Sequence, residues 1–556
     1  MADFLSKEHI TANANFNRWL VPPAALAVHL SIGMAYGFSV FWKPLGNALK
    51  DENGIPFETC AVGAVSFSEK LSGTAKALFA TDCNWTQFDL GWMYTLFFVL
   101  LGCSAALWGG WLERAGPRKA GLVSTLCWCG GLLISAYGVY AHQLWLMWLG
   151  SGVIGGIGLG LGYISPVSTL IKWFPDRRGM ATGMAIMGFG GGAMIGSPLA
   201  TKLMAYFAAD GSVGVWQTFV VLAMIYSVFM LYGSLGYRVP PTGWKPANWT
   251  PPATQNNTMI ASRHVHLNKA HKTPQFWLLW IVLCMNVSAG IGIIGAAAPM
   301  LQETFGGALI NQAGIGFADI KKDEAMTAAA AAVGAGFVGL ISLFNIFGRI
   351  GWASSSDKLG RKRTYFIFFT LGAILYCSAT YLAGLKSLAL FVASFCVIAS
   401  MYGGGFATIP AYLADMFGTQ FVGAIHGRLL TAWSTAGILG PVVVNYMHDT
   451  RLEAGVAFDQ IYAPIFMVLA CMLVIGFIAN LLVRPVADHY FMTDLELETE
   501  RKVAHEKSMQ NGALKSTTDN NQQQHPLLVK LAWTAVLIPI SYGVWSTVQK
   551  AWALFS

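Results

Sequence analysis

Charged side chains are scarce in this chain of 556 residues: 11% of its residues are Asp, Glu, Lys or Arg, whereas 55% are hydrophobic. A soluble protein has about 25% charged residues, which cover its surface. The mean hydropathy of +0.52 points the same way. The composition therefore excludes an ordinary soluble protein and predicts a chain that lies largely within a membrane.

Motifs for catalysis and for metal binding are also missing. The sequence contains no H-E-x-x-H motif, no nucleophile elbow and no Cys/His spacing typical of a metal site. The formal net charge of +8 comes without a nucleic-acid recognition motif. We therefore expect neither an enzyme nor a nucleic-acid-binding protein, and no cofactor or metal ion.

Cysteine is uncommon, with nine in the chain. Seven of them lie within or at the ends of apolar runs, where a small buried thiol is typical. Cys60 and Cys83 instead lie in the segment 43–89, which we place outside the membrane. In an oxidising compartment they can form a disulfide, and free thiols remain the alternative.

Apolar runs of about 20 residues, long enough to cross a hydrocarbon core of about 30 Å, recur along the chain. They lie near residues 20–42, 90–112, 120–141, 143–171, 180–205, 214–237, 275–302, 328–352, 364–385, 387–413, 422–447, 461–483 and 529–549. The N-terminal residues lack the pattern of a cleaved signal peptide, so we expect the first run to be retained. The sequence thus predicts an all-α polytopic membrane protein with twelve spans and a thirteenth near the C-terminus.

Lys and Arg residues indicate the orientation of the spans. The basic segments 114–119, 172–178, 238–273 and 357–363 all lie on the side of the N-terminus if the spans alternate. We call this side the basic face. It is predicted to be cytoplasmic, in a cell (inner) membrane, which places the C-terminus on the other side of the bilayer.

The two halves of the chain match each other at a nearly constant offset. WLERAGPRK (111–119) corresponds to SSDKLGRK (355–362), and residues 174–198 correspond to residues 417–441. Such a duplication predicts two six-span halves in the same orientation, a parallel repeat. The predicted units are a first half (1–238), a Pro- and Asn-rich linker (239–273), a second half (274–485), a polar tail (486–528) and the additional helix (529–556).

The paired turns resemble those of the major facilitator superfamily, which carries G-x-x-x-D-R-x-G-R-[RK] between its second and third spans. SSDKLGRK keeps four residues of that pattern: Asp357, Gly360, Arg361 and Lys362. WLERAGPRK departs from it, with Glu113 in place of the Asp and Pro117 before Arg118. The resemblance implies a twelve-span transporter fold, and gating turns that act through Arg114, Arg118, Asp357, Gly360 and Arg361.

Within that superfamily, GPRK, KWFPDRRGMATGMAIMGFGGGA and NIFGR are similar to motifs of the oxalate:formate antiporter family, over about residues 15–485. The resemblance implies transport of small carboxylates such as oxalate, formate, lactate or pyruvate, with Arg349 as the substrate-binding arginine. Members that handle oxalate also carry a lysine in a T-A-K-G context in the eleventh span. Trp433 occupies that position here. The last helix resembles a single-span segment that accompanies some members.

Arg349 is also unusual on physical grounds. It precedes Asp357 by about eight residues, on the order of 12 Å along a helix, and so lies near mid-membrane. A charge there costs about 2.5–3.5 kcal/mol on insertion scales and needs a partner. The carboxylates of the sequence lie in loops or at span ends, which argues against a structural ion pair. A guanidinium binds carboxylates in bidentate fashion, so we predict a substrate anion at Arg349.

Further candidate site residues surround this arginine. Asn345 lies one helical turn before it and is expected to orient the guanidinium or to bind the substrate. The resemblance adds aromatic walls, for which ordinary packing is the alternative: Tyr36, Tyr163, Tyr402, Phe406 and Trp433. His29 lies well inside the first span and is a possible proton site, although a neutral, packed histidine is the preferred interpretation.

These features predict a secondary active transporter, monomeric, with small carboxylates as its substrates. A bound monoanion cancels the charge of Arg349, so loaded transitions should be easier than empty ones, and exchange follows. Because Trp433 replaces the family's lysine, monocarboxylates are favoured over oxalate. Proton-coupled symport is the alternative, through His29. A membrane sensor or assembly subunit ranks lower, since neither explains the duplication.

Overall fold

The computed structural model of the protein describes residues 3–552 except 6, 8, 14, 52–54, 61–66, 209–211, 242–243, 248, 251–258, 313, 501 and 503–525. Within these residues, thirteen helices are long and apolar enough to cross a membrane. The same residues form isolated β-bridges but no strand. The predicted all-α class with twelve spans and an additional helix is confirmed, while most of the polar tail lies outside the described residues.

Six spans precede the linker, and six follow it. The first six are Arg18–Leu45, Gln87–Ala115, Pro117–Tyr140, Leu144–Trp173, Arg178–Phe207 and Val215–Gly236. The next six are Pro274–Ile310, Ala325–Leu359, Arg361–Gly384, Leu388–Phe417, Val422–Leu452 and Phe458–Leu482. The thirteenth helix runs over Pro526–Trp552. Short helices lie at Phe67–Ala77, Leu267–Ala270 and Phe317–Ile320.

Three spans depart from a regular α-helix. The first tightens to a 3₁₀-helix over Gly33–Phe41, the fourth widens to a π-helix over Trp148–Gly155, and the eleventh is divided into Val422–Leu429 and Thr431–Glu453. Such departures often occur near functional sites because they re-aim side chains. A Cβ added at Gly33 would lie 2.2 Å from the carbonyl oxygen of Phe189, so the first and fifth spans meet backbone to backbone.

The backbone repeats between the halves as the sequence does. Gly116 ends the second span with φ 89°, and Gly360 ends the eighth span with φ 85°, an offset of 360 − 116 = 244 residues. Only glycine adopts this conformation without strain, and it permits a turn with no intervening loop. The helices that begin at Arg178 and Val422 are also 422 − 178 = 244 residues apart.

The loop between the first two spans is cross-linked and packed. Cys60 and Cys83 form a disulfide, with their Cα atoms 5.1 Å apart, as one of the two sequence alternatives predicted. The buried Asn84 donates two hydrogen bonds of 2.9 Å, to the carbonyl oxygens of Leu49 and Phe57. His142 Nε2 lies 2.9 Å from the Cys83 carbonyl oxygen, and because a carbonyl oxygen only accepts, the ring donates this hydrogen bond.

The thirteenth helix packs along the side of the bundle where the two halves meet. Its Val536 is fully buried in a small apolar cluster with residues of the first span. Trp533 Nε1 donates to the carbonyl oxygen of Trp19, and Lys202 Nζ at the end of the fifth span donates to the hydroxyl of Tyr542. Thr547 contacts Gly339 of the eighth span. One helix therefore touches both halves.

Candidate functional site

Arg349 is buried between the two halves, with 1% of its surface exposed. Its Nε donates to Asn345 Oδ1 at 2.9 Å, and its Nη1 donates to the carbonyl oxygen of Ile186 in the fifth span at 3.1 Å. A guanidinium has five N–H groups, so three have no partner among the described residues. Those residues also supply no carboxylate within ion-pair distance of Arg349.

Glycine-rich segments of both halves make room for this side chain. In GFGGGA, a Cβ at Gly190 would lie 2.9 Å from Arg349 Nε. In YGGGF, a Cβ at Gly403 would lie 2.2 Å from the Asn345 carbonyl oxygen and 3.1 Å from Arg349 Cγ. These glycines therefore serve the packing of the arginine itself, which the sequence did not reveal.

A cluster of aromatic rings lies next to Arg349. The guanidinium stands over the ring of Phe406, with Cζ 5.4 Å from the ring centroid. The Phe406 centroid lies 4.9 Å from that of Trp433 and 5.6 Å from that of Tyr163. The Tyr36 and Tyr402 hydroxyls lie 3.5 Å apart across the two halves. The structure thus joins all the sequence-predicted aromatic residues into one cluster that contacts Arg349 through Phe406, and it adds Phe189, which contacts Tyr163 and Trp433.

Two of these aromatic side chains have polar atoms that are buried and unpaired. The Tyr163 hydroxyl and the Trp433 Nε1 have no hydrogen-bond partner among the described residues, and both side chains are fully buried. An unpaired buried polar group costs about 1–3 kcal/mol. Like the free N–H groups of Arg349, they are buried polar atoms that a small anion can satisfy.

His29 lies beside this cluster and is fully buried. Its ring stacks on Tyr163 at 5.3 Å. Its Nδ1 lies 2.5 Å from the carbonyl oxygen of Ala185, and its Nε2 lies 3.1 Å from that of Tyr163. A neutral imidazole can donate to only one of these carbonyls, whereas an imidazolium donates to both.

A second polar layer lies on the basic face. Asp357 ends the eighth span and accepts hydrogen bonds from the backbone N–H groups of Gly179 and Met180, at 2.8 and 3.0 Å. These groups open the fifth span in the other half, where the N-cap residue Arg177 provides no side-chain bond. Asp357 therefore caps a helix of the opposite half, and its charge suits that helix end.

Asp415 extends this layer. It accepts from Arg178 Nη1 of the other half at 2.8 Å and from Arg361 Nε at 3.0 Å. Arg361 also donates to Asp357, at 2.6 Å. Asp415 and Arg178 were not among the predicted site residues, because they become neighbours only when the halves meet.

Glu113 is the counterpart of Asp357 in the first half. Its Oε1 accepts from the backbone N–H of Gly423, at 3.0 Å, in the first turn of the eleventh span. The predicted gating residue Arg118 instead donates to the Leu235 and Tyr237 carbonyl oxygens within its own half. Arg114 is exposed at the surface of the turn. We call Glu113, Arg178, Asp357, Arg361 and Asp415 the basic-face layer.

Comparison with known proteins agrees with this architecture. The chain is 24% identical over 489 residues to the oxalate:formate antiporter of Oxalobacter formigenes, covering 88% of this chain and 97% of that protein. It is 24% identical to the apicoplast pyruvate carrier 1 of Toxoplasma gondii, over 61% of this chain and 66% of that one. An uncharacterized transporter of Escherichia coli is also 24% identical, over 68% and 83% of the two chains.

Solved structures show the same fold at low identity. The fucose:proton symporter of E. coli superposes with a TM-score of 0.53 and 10% identity, over 84% of this chain and all of that one. The sequence profile of the Major Facilitator Superfamily matches residues 59–441 and 287–553, which together span most of the chain. With its twelve spans in two matched halves, this chain belongs to the Major Facilitator Superfamily of transporters.

Proposed function

We propose that this protein is a secondary active transporter of small carboxylate anions that works by alternating access and favours monocarboxylates. The observation that carries the proposal is Arg349, a buried cation with free N–H groups and no acidic partner among the described residues. A carboxylate supplies both the charge and the acceptors that this guanidinium lacks. Relatives named for oxalate, formate and pyruvate transport support the substrate class.

Exchange is the proposed mode of transport. The empty site leaves the charge of Arg349 uncompensated, and a bound monoanion cancels it, so the loaded protein should change conformation more easily than the empty one. The basic-face layer closes the site on one side through contacts that cross between the halves. These contacts must separate for the substrate to leave on that side.

Counterflow in proteoliposomes tests the proposal. Vesicles preloaded with unlabelled formate, lactate or pyruvate should take up the labelled anion faster than empty vesicles. Arg349→Gln should lower that rate by at least about 100-fold, because it removes a charge-assisted bidentate contact. Arg363→Gln, which removes an exposed arginine of the basic turn, is the matched control. Normal counterflow by Arg349→Gln would exclude this site.

Selectivity for monocarboxylates is tested at Trp433. Its buried ring packs on Phe98 and Phe189, and it stands where members that handle oxalate carry a lysine, so this position provides no cation for the second charge of a dianion. The ratio of oxalate counterflow to formate counterflow should therefore be higher in Trp433→Lys than in the wild type. If the variant folds, transports formate and gains no oxalate uptake, the proposed role of this position is wrong.

His29 favours a second candidate, proton-coupled uptake. Its two ring nitrogens each face a backbone carbonyl, an arrangement that suits the protonated ring. Proton-coupled uptake predicts that substrate addition alkalinises the external medium of empty vesicles, and that His29→Gln abolishes this signal. Pure exchange predicts no such signal without internal substrate, so the same vesicles separate the two modes.

We also propose that the basic face is cytoplasmic and that the chain resides in the inner membrane. The basic residues of the turns and the linker support this orientation. A cysteine introduced at the exposed Lys358, in a background without reactive thiols, should react with a membrane-impermeant maleimide only after the cells are permeabilised. Labelling of intact cells would reverse the orientation.

A further inference from the structure

A buried histidine without an assigned role lies next to the proposed anion site. His426 belongs to the short helix Val422–Leu429 that opens the eleventh span, and its side chain is fully buried. Its ring centroid lies 5.8 Å from that of Tyr163. Neither of its ring nitrogens has a hydrogen-bond partner among the described residues.

Other buried histidines of this protein differ in this respect. Both nitrogens of His29 lie within hydrogen-bond distance of backbone carbonyls, and His142 bonds to the Cys83 carbonyl. A buried imidazole normally finds such a partner, because its polar atoms lose the hydrogen bonds they make to water. A ligand that forms hydrogen bonds with the two unpaired nitrogens of His426 would explain their burial.

His426 shares its polar surroundings with Tyr163 and Trp433. Trp433 follows it by 433 − 426 = 7 residues, two helical turns, across the division of the eleventh span. The Tyr163 ring contacts both, with its centroid 5.9 Å from Trp433. Four buried atoms without a described partner thus gather in three touching side chains: the two His426 nitrogens, the Tyr163 hydroxyl and Trp433 Nε1.

We propose that His426 completes a polar subsite with Tyr163 and Trp433, and that this subsite binds a second oxygen function of the substrate. The inference rests on the proposed function, in which Arg349 holds the carboxylate. Phe406 joins the two parts, because its ring lies against Arg349 and also against Tyr163 and Trp433.

The chemistry of the three side chains defines the ligand class. Trp433 donates only, Tyr163 donates or accepts, and a neutral imidazole offers one donor and one acceptor. Such a set can bind a hydroxyl group, which needs both a donor and an acceptor, or an oxo group, which needs donors. The structure therefore points to short 2-hydroxy and 2-oxo monocarboxylates rather than to formate or unsubstituted acids.

Lactate and propionate provide the test, because they differ only by the hydroxyl group on C2. In reconstituted wild-type protein, we expect lactate to compete for counterflow about tenfold better than propionate, the factor that one satisfied hydrogen bond supplies. His426→Leu should reduce this ratio to about one while propionate transport persists. His426→Gln, which retains a donor and an acceptor, should keep most of the ratio.

Each outcome has a distinct meaning. Equal loss of lactate and propionate transport in His426→Leu would indicate a structural role and overturn the inference, as would a wild-type protein that does not discriminate between the two acids. If His426→Leu does not fold, Tyr163→Phe decides, since loss of its hydroxyl should also lower the ratio, and an unchanged ratio would contradict the subsite. A wild-type protein that transports no carboxylate would instead refute the proposed function itself.

Discussion

Polar groups of the described residues lack partners in the central site, which consists of Arg349 and the aromatic cluster with Tyr163 and Trp433, whereas polar side chains are paired in the basic-face layer. In the basic-face layer, Asp357, Asp415 and Glu113 each accept a hydrogen bond from the opposite half. In the central site, Arg349 has no acidic partner and Tyr163 leaves its hydroxyl unpaired, among the described residues.

This difference separates two functions in one bundle. Satisfied polar contacts that cross between the halves stabilise the closed basic face without any ligand. Unsatisfied buried polar groups raise the free energy of the empty protein, and the anion proposed to bind there would lower it. Substitutions in the two layers should therefore have opposite consequences for the stability of the empty protein.

The largest effect on the closed layer should come from Asp357→Ala. It removes two backbone hydrogen bonds to a charged acceptor and the cap of the fifth span, which should cost about 2–3 kcal/mol of the free energy that holds this face closed. Hydrogen exchange measures the change directly. The Gly179 and Met180 amides should exchange about 100-fold faster than in the wild type.

Asp319→Ala is the matched control, because it removes an exposed carboxylate that pairs with the neighbouring Lys322. Its effect on the Gly179 and Met180 amides should be nil. If these two amides stay protected in Asp357→Ala, the Asp357 carboxylate does not hold the basic face closed. The proposed difference between the two layers would then be wrong.

The sequence predicted most of the residues that pack at the central site, but only Asp357 and Arg361 of the five residues in this layer. The duplication and the turn motif identified Asp357, Gly360 and Arg361, because local sequence determines a turn. The capping of Gly179 by Asp357 joins residues 178 positions apart, so no local pattern could reveal it. Arg349 was predictable because a charge within an apolar run is costly wherever it lies.

Other residues of the site carried no such signal. His426 stands in a segment with further polar residues, and its open nitrogens are a property of the packed bundle. Asp415 lies at a span end, where a carboxylate is unremarkable until Arg178 of the other half meets it. Which side chains of one half bond to those of the other depends on the tertiary fold, and the spacing of residues along the sequence does not reveal it.

The two turn glycines should give the next effect. Alanine at Gly116 or Gly360 must adopt a conformation that only glycine tolerates, at a cost of about 1–3 kcal/mol. At Gly116 the added Cβ also lies 3.2 Å from Ile10 Cδ1, whereas at Gly360 it meets open space. Thermal unfolding in detergent should therefore show a lower midpoint for Gly116→Ala than for Gly360→Ala. The reverse order would contradict this prediction, because it would mean that the contact with Ile10 does not add to the backbone strain at Gly116.

Glu113→Ala should have a smaller effect than Asp357→Ala, about 1–2 kcal/mol, because Glu113 makes one backbone contact across the halves where Asp357 makes two. Hydrogen exchange at Gly423 should rise by about tenfold. Exchange at Gly179 should change little, since Asp357 still caps that helix. A rise at Gly179 equal to that at Gly423 would show that the two crossing contacts open as one unit.

The smallest effect on stability should come from Tyr163→Phe in the central site. The substitution removes a buried hydroxyl without a described partner and keeps the ring that packs on Phe406 and Trp433. The unfolding midpoint of the empty protein should therefore stay the same or rise slightly. The corresponding gain in the free energy of unfolding should be less than about 1 kcal/mol. The stabilisation by saturating lactate should shrink, because the ligand loses a partner. A midpoint that falls as far as that of Asp357→Ala would show that the hydroxyl is satisfied without a ligand, and the contrast between the two layers would not hold.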